Sequence, residues 1–166
     1  MRAILWGISP GQRPMNVDRL KGRILVDTNV LIYATLSGDS RHEPSREVLA
    51  LRESPKIELC VSVQNLAEMY PNLTGPKNSD PDTPELARRK IESITGLNGL
   101  QVLPLSLGIS RRALQLCERY NIVRQRYFDM QLVATMLEEG IGTILTENSK
   151  DFEEIEDITV VNPFLD

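Results

Sequence analysis

Ile24-Leu25-Val26-Asp27-Thr28-Asn29-Val30-Leu31-Ile32-Tyr33 decides how the rest of the chain is read. An unbroken apolar run ends on an acid, two small polar residues follow, and a second apolar run resumes. A strand buried on both faces needs such an unbroken run. Thr28 and Asn29 are suited to cap a helix, expected over residues 30–36. Asp27 then stands at the carboxyl end of a strand, where parallel sheets bind ligands. On local grounds alone the competing reading is that Asp27 merely caps the helix.

Outward from this stretch the chain alternates short apolar runs with helical patterns. Further runs lie at residues 57–61, 100–103, 143–145 and 158–161. Between them, Val63, Leu66, Ala67 and Tyr70 recur at helical spacing, as do Ile109, Ala113, Leu116, Cys117 and Tyr120. Thr83 followed by Pro84 opens a helix that runs to about Gly96. Phe128, Leu132, Met136 and Leu137 mark another, stopped by Gly140 and Gly142. The pattern predicts an α/β fold of three layers, α/β/α, with a mainly parallel central sheet of about five strands. Residues 71–84, rich in Pro, Asn, Asp, Ser and Gly, read as a long loop. Residues 1–22 read as a loosely packed leader, within which Met15 offers an alternative start, and residues 23–166 as the folded domain.

Composition narrows the chemistry. The chain has 166 residues, 25% charged and 41% hydrophobic, with a formal net charge of −4. That is ordinary globular composition and argues against a basic nucleic-acid coating protein. A single histidine, His42, rules out sites built from several imidazoles. Cys60 and Cys117 both fall in apolar patterns and read as reduced thiols, which points to the cytoplasm. No apolar stretch is long enough to span a bilayer.

Four acids stand where the chain changes type: Asp27, Glu68 on the helix after the second run, Asp129 at a helix start, and Asp151 after the fourth run. Singly, each has an ordinary explanation as a solvated glutamate, a helix-dipole charge or a turn residue. A parallel sheet would gather them at one edge. Carboxylates so gathered repel at about 4 kcal/mol per close pair for an effective dielectric near 20. A hard divalent cation, Mg²⁺ or Mn²⁺, removes that cost. Arg124 and Arg126, just before Asp129, are candidate phosphate contacts.

Taken together the motifs resemble those of PIN-domain ribonucleases. Residues 24–33 resemble the opening motif, Val61-Ser62-Val63-Gln64-Asn65-Leu66-Ala67-Glu68 the second, Tyr127-Phe128-Asp129-Met130-Gln131-Leu132-Val133-Ala134 the third, and Leu145-Thr146-Glu147-Asn148-Ser149-Lys150-Asp151-Phe152 the fourth. The size is similar to VapC-type toxins of toxin–antitoxin pairs. The resemblance implies metal-dependent RNA hydrolysis, with Asp27, Glu68 and Asp129 holding the metal. Many relatives carry Asp two residues after the threonine, where this chain has Asn148; Asp151 keeps the later acid and is the candidate to supply the missing charge. Thr28, Asn29 and Thr146 are implied to orient the carboxylates.

The implied partners are an RNA substrate, a small cognate antitoxin and a second copy of the chain. Residues 30–36, 43–51 and 71–84 are candidate antitoxin surfaces. Alternatives are a stand-alone RNA-processing nuclease of the same fold, or a catalytically weakened module, marked by Asn148, that only binds a partner. A phosphohydrolase with Asp27 as nucleophile is disfavoured, because Asn29 stands where that class carries a second Asp.

Overall fold

The computed structural model describes residues 19–76 and 80–165. The elements run β1 (Gly22–Val26), α1 (Thr28–Tyr33), α2 (His42–Ala50), β2 (Ile57–Ser62), α3 (Val63–Thr74), α4 (Pro84–Thr95), β3 (Leu100–Leu103), α5 (Leu107–Arg119), α6 (Tyr127–Glu138), β4 (Thr143–Leu145) and β5 (Thr159–Val161). Five parallel strands form one sheet in the order β3-β2-β1-β4-β5. The expected α/β/α fold with a parallel sheet is therefore present.

Side-chain parity on β1 builds the layers. Ile24 and Val26 face one way, into a core shared with Val30 and Leu31 of α1, Val48 of α2, Met69 of α3 and Ala87 of α4. Leu25 faces the other way, against Ala113 and Leu116 of α5 and Met130, Val133 and Ala134 of α6. Successive strand residues point to opposite faces, so a continuous apolar run is what a strand covered on both sides requires.

The sheet order places β1 at the centre, with β2 on one side and β4 on the other. The chain winds outward through β2 and β3, then returns to β1 from the opposite side. A crevice opens at such a reversal, outside the carboxyl ends of the two adjacent strands. Val26 pairs with Leu145, and the Asp27 amide donates to the Leu145 carbonyl at 3.0 Å. Asp27 and Thr146 thus leave the sheet side by side.

Two boundaries differ from the sequence reading. Helix α1 stops at Tyr33, and tight turns through Thr35 and Leu36 replace its expected last turn. Helix α3 continues through Pro71 to Thr74, so much of the expected long loop begins as helix. Gly75 then permits a sharp exit, since a Cβ there would collide with the Pro71 carbonyl oxygen. The return is fastened by Asp82, whose amide donates to the Leu73 carbonyl and whose carboxylate pairs with Lys90 at 2.8 Å. Helix α6 ends as expected at Gly140, which takes a φ of +66° while the Ile141 amide reaches back to the Met136 carbonyl.

The leader lies mostly outside the described residues. Of its last residues, Leu20 packs on the core and Gly22 opens β1. Cys60 is a buried free thiol and Cys117 a partly buried one. Among the described residues no helix is long and apolar enough to cross a membrane.

Candidate functional site

Asp27 leaves the central strand and caps α1: its Oδ1 accepts from the Thr28 amide at 2.6 Å. Its Oδ2 accepts from Thr146 Oγ1 at 2.6 Å and from Asn29 Nδ2 at 2.9 Å. The two local readings of Asp27, cap and cluster acid, are compatible, because one oxygen serves the helix and the other turns toward β4. Only 8% of the residue is exposed. Burial raises its pKa, opposed by the Thr146 and Thr28 bonds and reinforced by Glu68 and Asp151.

Glu68 is brought alongside by α3. Ser62 and Asn65 form a reciprocal capping box that fixes the start of this helix. Asn65 Nδ2 then donates to Thr28 Oγ1 at 3.1 Å, and Thr28 Oγ1 donates to Glu68 Oε2 at 2.9 Å. Thr28 therefore touches both acids, one through its amide and the other through its hydroxyl. The other Glu68 oxygen accepts from Gln64 Nε2 at 2.8 Å, and the same nitrogen donates to the Phe128 carbonyl at 2.8 Å. Gln64 consequently ties the glutamate to the first turn of α6, one residue before Asp129. Sequence reading passed over Gln64; its place four residues before Glu68 on one helix face was the available signal.

Asp129 sits in that first turn, half-buried, and its pKa is pushed up to about 7. Burial is the main cause, followed by repulsion from Asp151 and Asp27, with Arg126 pulling the other way. Asp27, Glu68, Asp129 and Asn148 line one cavity of about 550 Å³, together with Thr28 and Asn29. Asp151, in a 3₁₀ turn at residues 149–151, is near enough to raise both Asp27 and Asp129. Asn148 is exposed, and its amide donates to Thr146 Oγ1 at 3.0 Å. Arg126 reaches the Asp151 carbonyl at 3.3 Å, whereas Arg124 is solvent-exposed with a φ of +58°.

The donors around the cavity are carboxylate and amide oxygens, the hard ligands that suit Mg²⁺ or Mn²⁺. Acids raised by burial and mutual repulsion are also the ones whose ionised form a cation stabilises. Among the described residues, no three Asp, Glu, His or Cys groups close into a ready-made metal cage. His42 is turned away, with Nδ1 3.0 Å from the Tyr33 carbonyl.

The family model of the PIN domain matches residues 24–158. The chain belongs to the PIN domain family. The matched span of this PIN domain contains all four acids. Solved structures share the fold at low identity. VapBC2 from Rickettsia felis, bound to a DNA fragment from its promoter, matches with a TM-score of 0.60 and 18% identity, over 85% of this chain and 98% of that one. VapBC-1 from nontypeable Haemophilus influenzae gives 0.60 and 20%, over 86% and 98%. VapC20 from Mycobacterium tuberculosis, a toxin that cleaves the sarcin–ricin loop, gives 0.55 and 18%, over 73% and 86%. No curated protein matches the chain by sequence.

Proposed function

We propose that this PIN domain is an endoribonuclease dependent on Mg²⁺ or Mn²⁺, and the toxin of a VapBC-type pair. One observation carries the reading: Asp27, Glu68 and Asp129, from three separate elements, line one cavity at the sheet's reversal point. Family membership and neighbours that are toxin–antitoxin complexes support it.

In this reading Asp27, Glu68 and Asp129 hold the cation, with Asn148 contributing a neutral oxygen and Asp151 the remaining charge. A divalent cation in such a site acidifies water and offsets charge on the attacked phosphate. Thr28, Asn29 and Thr146 keep the Asp27 and Glu68 oxygens aimed by the hydrogen bonds described above. Gln64 keeps Glu68 registered against the α6 turn that carries Asp129. Arg126 offsets part of the acidic field and is the better placed of the two arginines to meet a phosphate. The partners are an RNA substrate, a cognate antitoxin and a second copy of the chain; the cytoplasm is the compartment.

Incubation of RNA with the protein in Mg²⁺ or Mn²⁺, against a chelator control, tests the activity. Cleavage that persists unchanged in Asp27→Asn would falsify the site assignment. Asn148 favours a second reading, a partner-binding module with weakened chemistry. Partner binding without Mn²⁺-dependent turnover in the wild-type chain would select it.

A further inference from the structure

Toward the far end of α1 from Asp27 the cavity is lined by Ile32, Tyr33, Leu36, Asp39 and Arg41, with Asn72 of α3. Arg41 is the single cation among the lining residues. We propose that Arg41 is a stacking platform for one nucleobase of the RNA, a recognition residue for the same cleft; this rests on the ribonuclease reading.

The edges of the guanidinium are already engaged. Nε and Nη2 each donate to the Asp39 carboxylate at 2.8 Å. Nη1 donates to Glu147 at 2.7 Å and to the Tyr33 hydroxyl at 2.7 Å. One face is covered, since the guanidinium carbon lies 3.6 Å from the centre of the Tyr33 ring. The Tyr33 ring is itself braced edge-on by Phe164. Yet the Arg41 side chain remains 32% exposed and lines the cavity. Four of its five N–H groups are taken by these bonds, which leaves chiefly its other face to offer there.

Charge decides what that face receives. Asp39, Arg41 and Glu147 together sum to one net negative charge, so the cluster does not attract a phosphate. A planar, charge-compensated guanidinium is instead a surface on which an unstacked base can lie. Ile32 and Leu36 give the surroundings an apolar wall. Asn72 donates its amide nitrogen to the Glu68 carbonyl, which leaves its amide oxygen to meet a base edge. Helix α1, Thr28–Tyr33, carries the chain six residues beyond its cap Asp27, or about 9 Å. A strand whose phosphate lies at the acids can therefore reach the platform with a neighbouring base.

The test is kcat/KM in Mn²⁺ on a short single-stranded RNA, intact or with one base at a time removed. In the wild type, loss of the base at one position near the cut should slow cleavage about tenfold, the worth of one stacked base. Arg41→Lys keeps the charge without the plane, and should cut intact and abasic RNA at equal rates. Arg41→Gln, with a flat amide, should regain part of the difference; thermal melting confirms that each variant is folded. Cleavage by the wild type that ignores every missing base overturns the platform and leaves the ribonuclease reading standing. So does equal sensitivity in wild type and Arg41→Lys. A wild-type chain that cuts no RNA removes both.

Discussion

Both ends of the cleft hold carboxylates and treat them oppositely. At the Arg41 end, Asp39 and Glu147 are bound directly by a guanidinium, and the Asp39 carboxyl is held below its ordinary range by its hydrogen bonds to Arg41. At the other end Asp27 receives only neutral donors, Thr28, Asn29 and Thr146, and is pushed up by burial, as is Asp129. One short helix separates them. Side-chain cations thus finish one end of α1, while the other retains charge that an external cation can meet. The contrast is between acids neutralised by a cation of the chain and acids met only by neutral donors.

The largest effect is expected at the uncompensated end. Asp27→Asn should reduce metal-dependent RNA cleavage by at least about a hundredfold, since even groups that merely orient metal ligands contribute 10–100-fold. A steady-state cleavage assay, with circular dichroism to verify folding, checks it. Thr146→Val removes one donor to Asp27 and should lower activity by roughly 10–100-fold. An activity loss without a change in apparent Mn²⁺ affinity or in kcat would count against the orienting role.

The compensated end should respond in stability. Arg41→Ala leaves Asp39 and Glu147 without their guanidinium in a partly exposed setting, at a cost of about 1–2 kcal/mol. For a domain of this size that lowers Tm by roughly 2–8 °C, readable by calorimetry. Glu147→Gln should do less, because Asp39 still holds the guanidinium.

In pH dependence the two ends differ by sign. Asp129 is raised to about 7 in the folded chain. Its contribution to metal-free stability is therefore fully present below the ordinary Asp range and is lost as pH rises through about 7. Asp39 is lowered, so its contribution is present above the ordinary Asp value and lost as pH falls through its folded value. Subtracting melting curves of Asp129→Asn and of Asp39→Asn from the wild type should give slopes of opposite sign. Parallel slopes would remove the electrostatic contrast between the two ends.

The strands were legible because burial on both faces leaves continuous apolar runs, and Asp27 because it ends such a run at the carboxyl end of β1. Pro71 was misleading: proline usually ends a helix, but α3 carries it near its last turn and stops only at Gly75. The Arg41 cluster was invisible for a different reason. Arg41 lies 106 residues from Glu147, and neither residue interrupts a periodic pattern. Ion pairs formed across the sheet's reversal leave no local trace in a single sequence. Gln64 shows the same limit, since its link to the Phe128 carbonyl spans 64 residues.

The double duty of Asp27 has a practical consequence for anyone preparing an inert version of this protein. Alanine at that position would strip the opening turn of a six-residue helix of its side-chain acceptor as well as deleting the acid, a loss of about 0.5–2 kcal/mol unrelated to chemistry. Asparagine caps about as well as aspartate. Under the proposed function it is the replacement expected to remove activity while leaving the chain a fair control in binding comparisons.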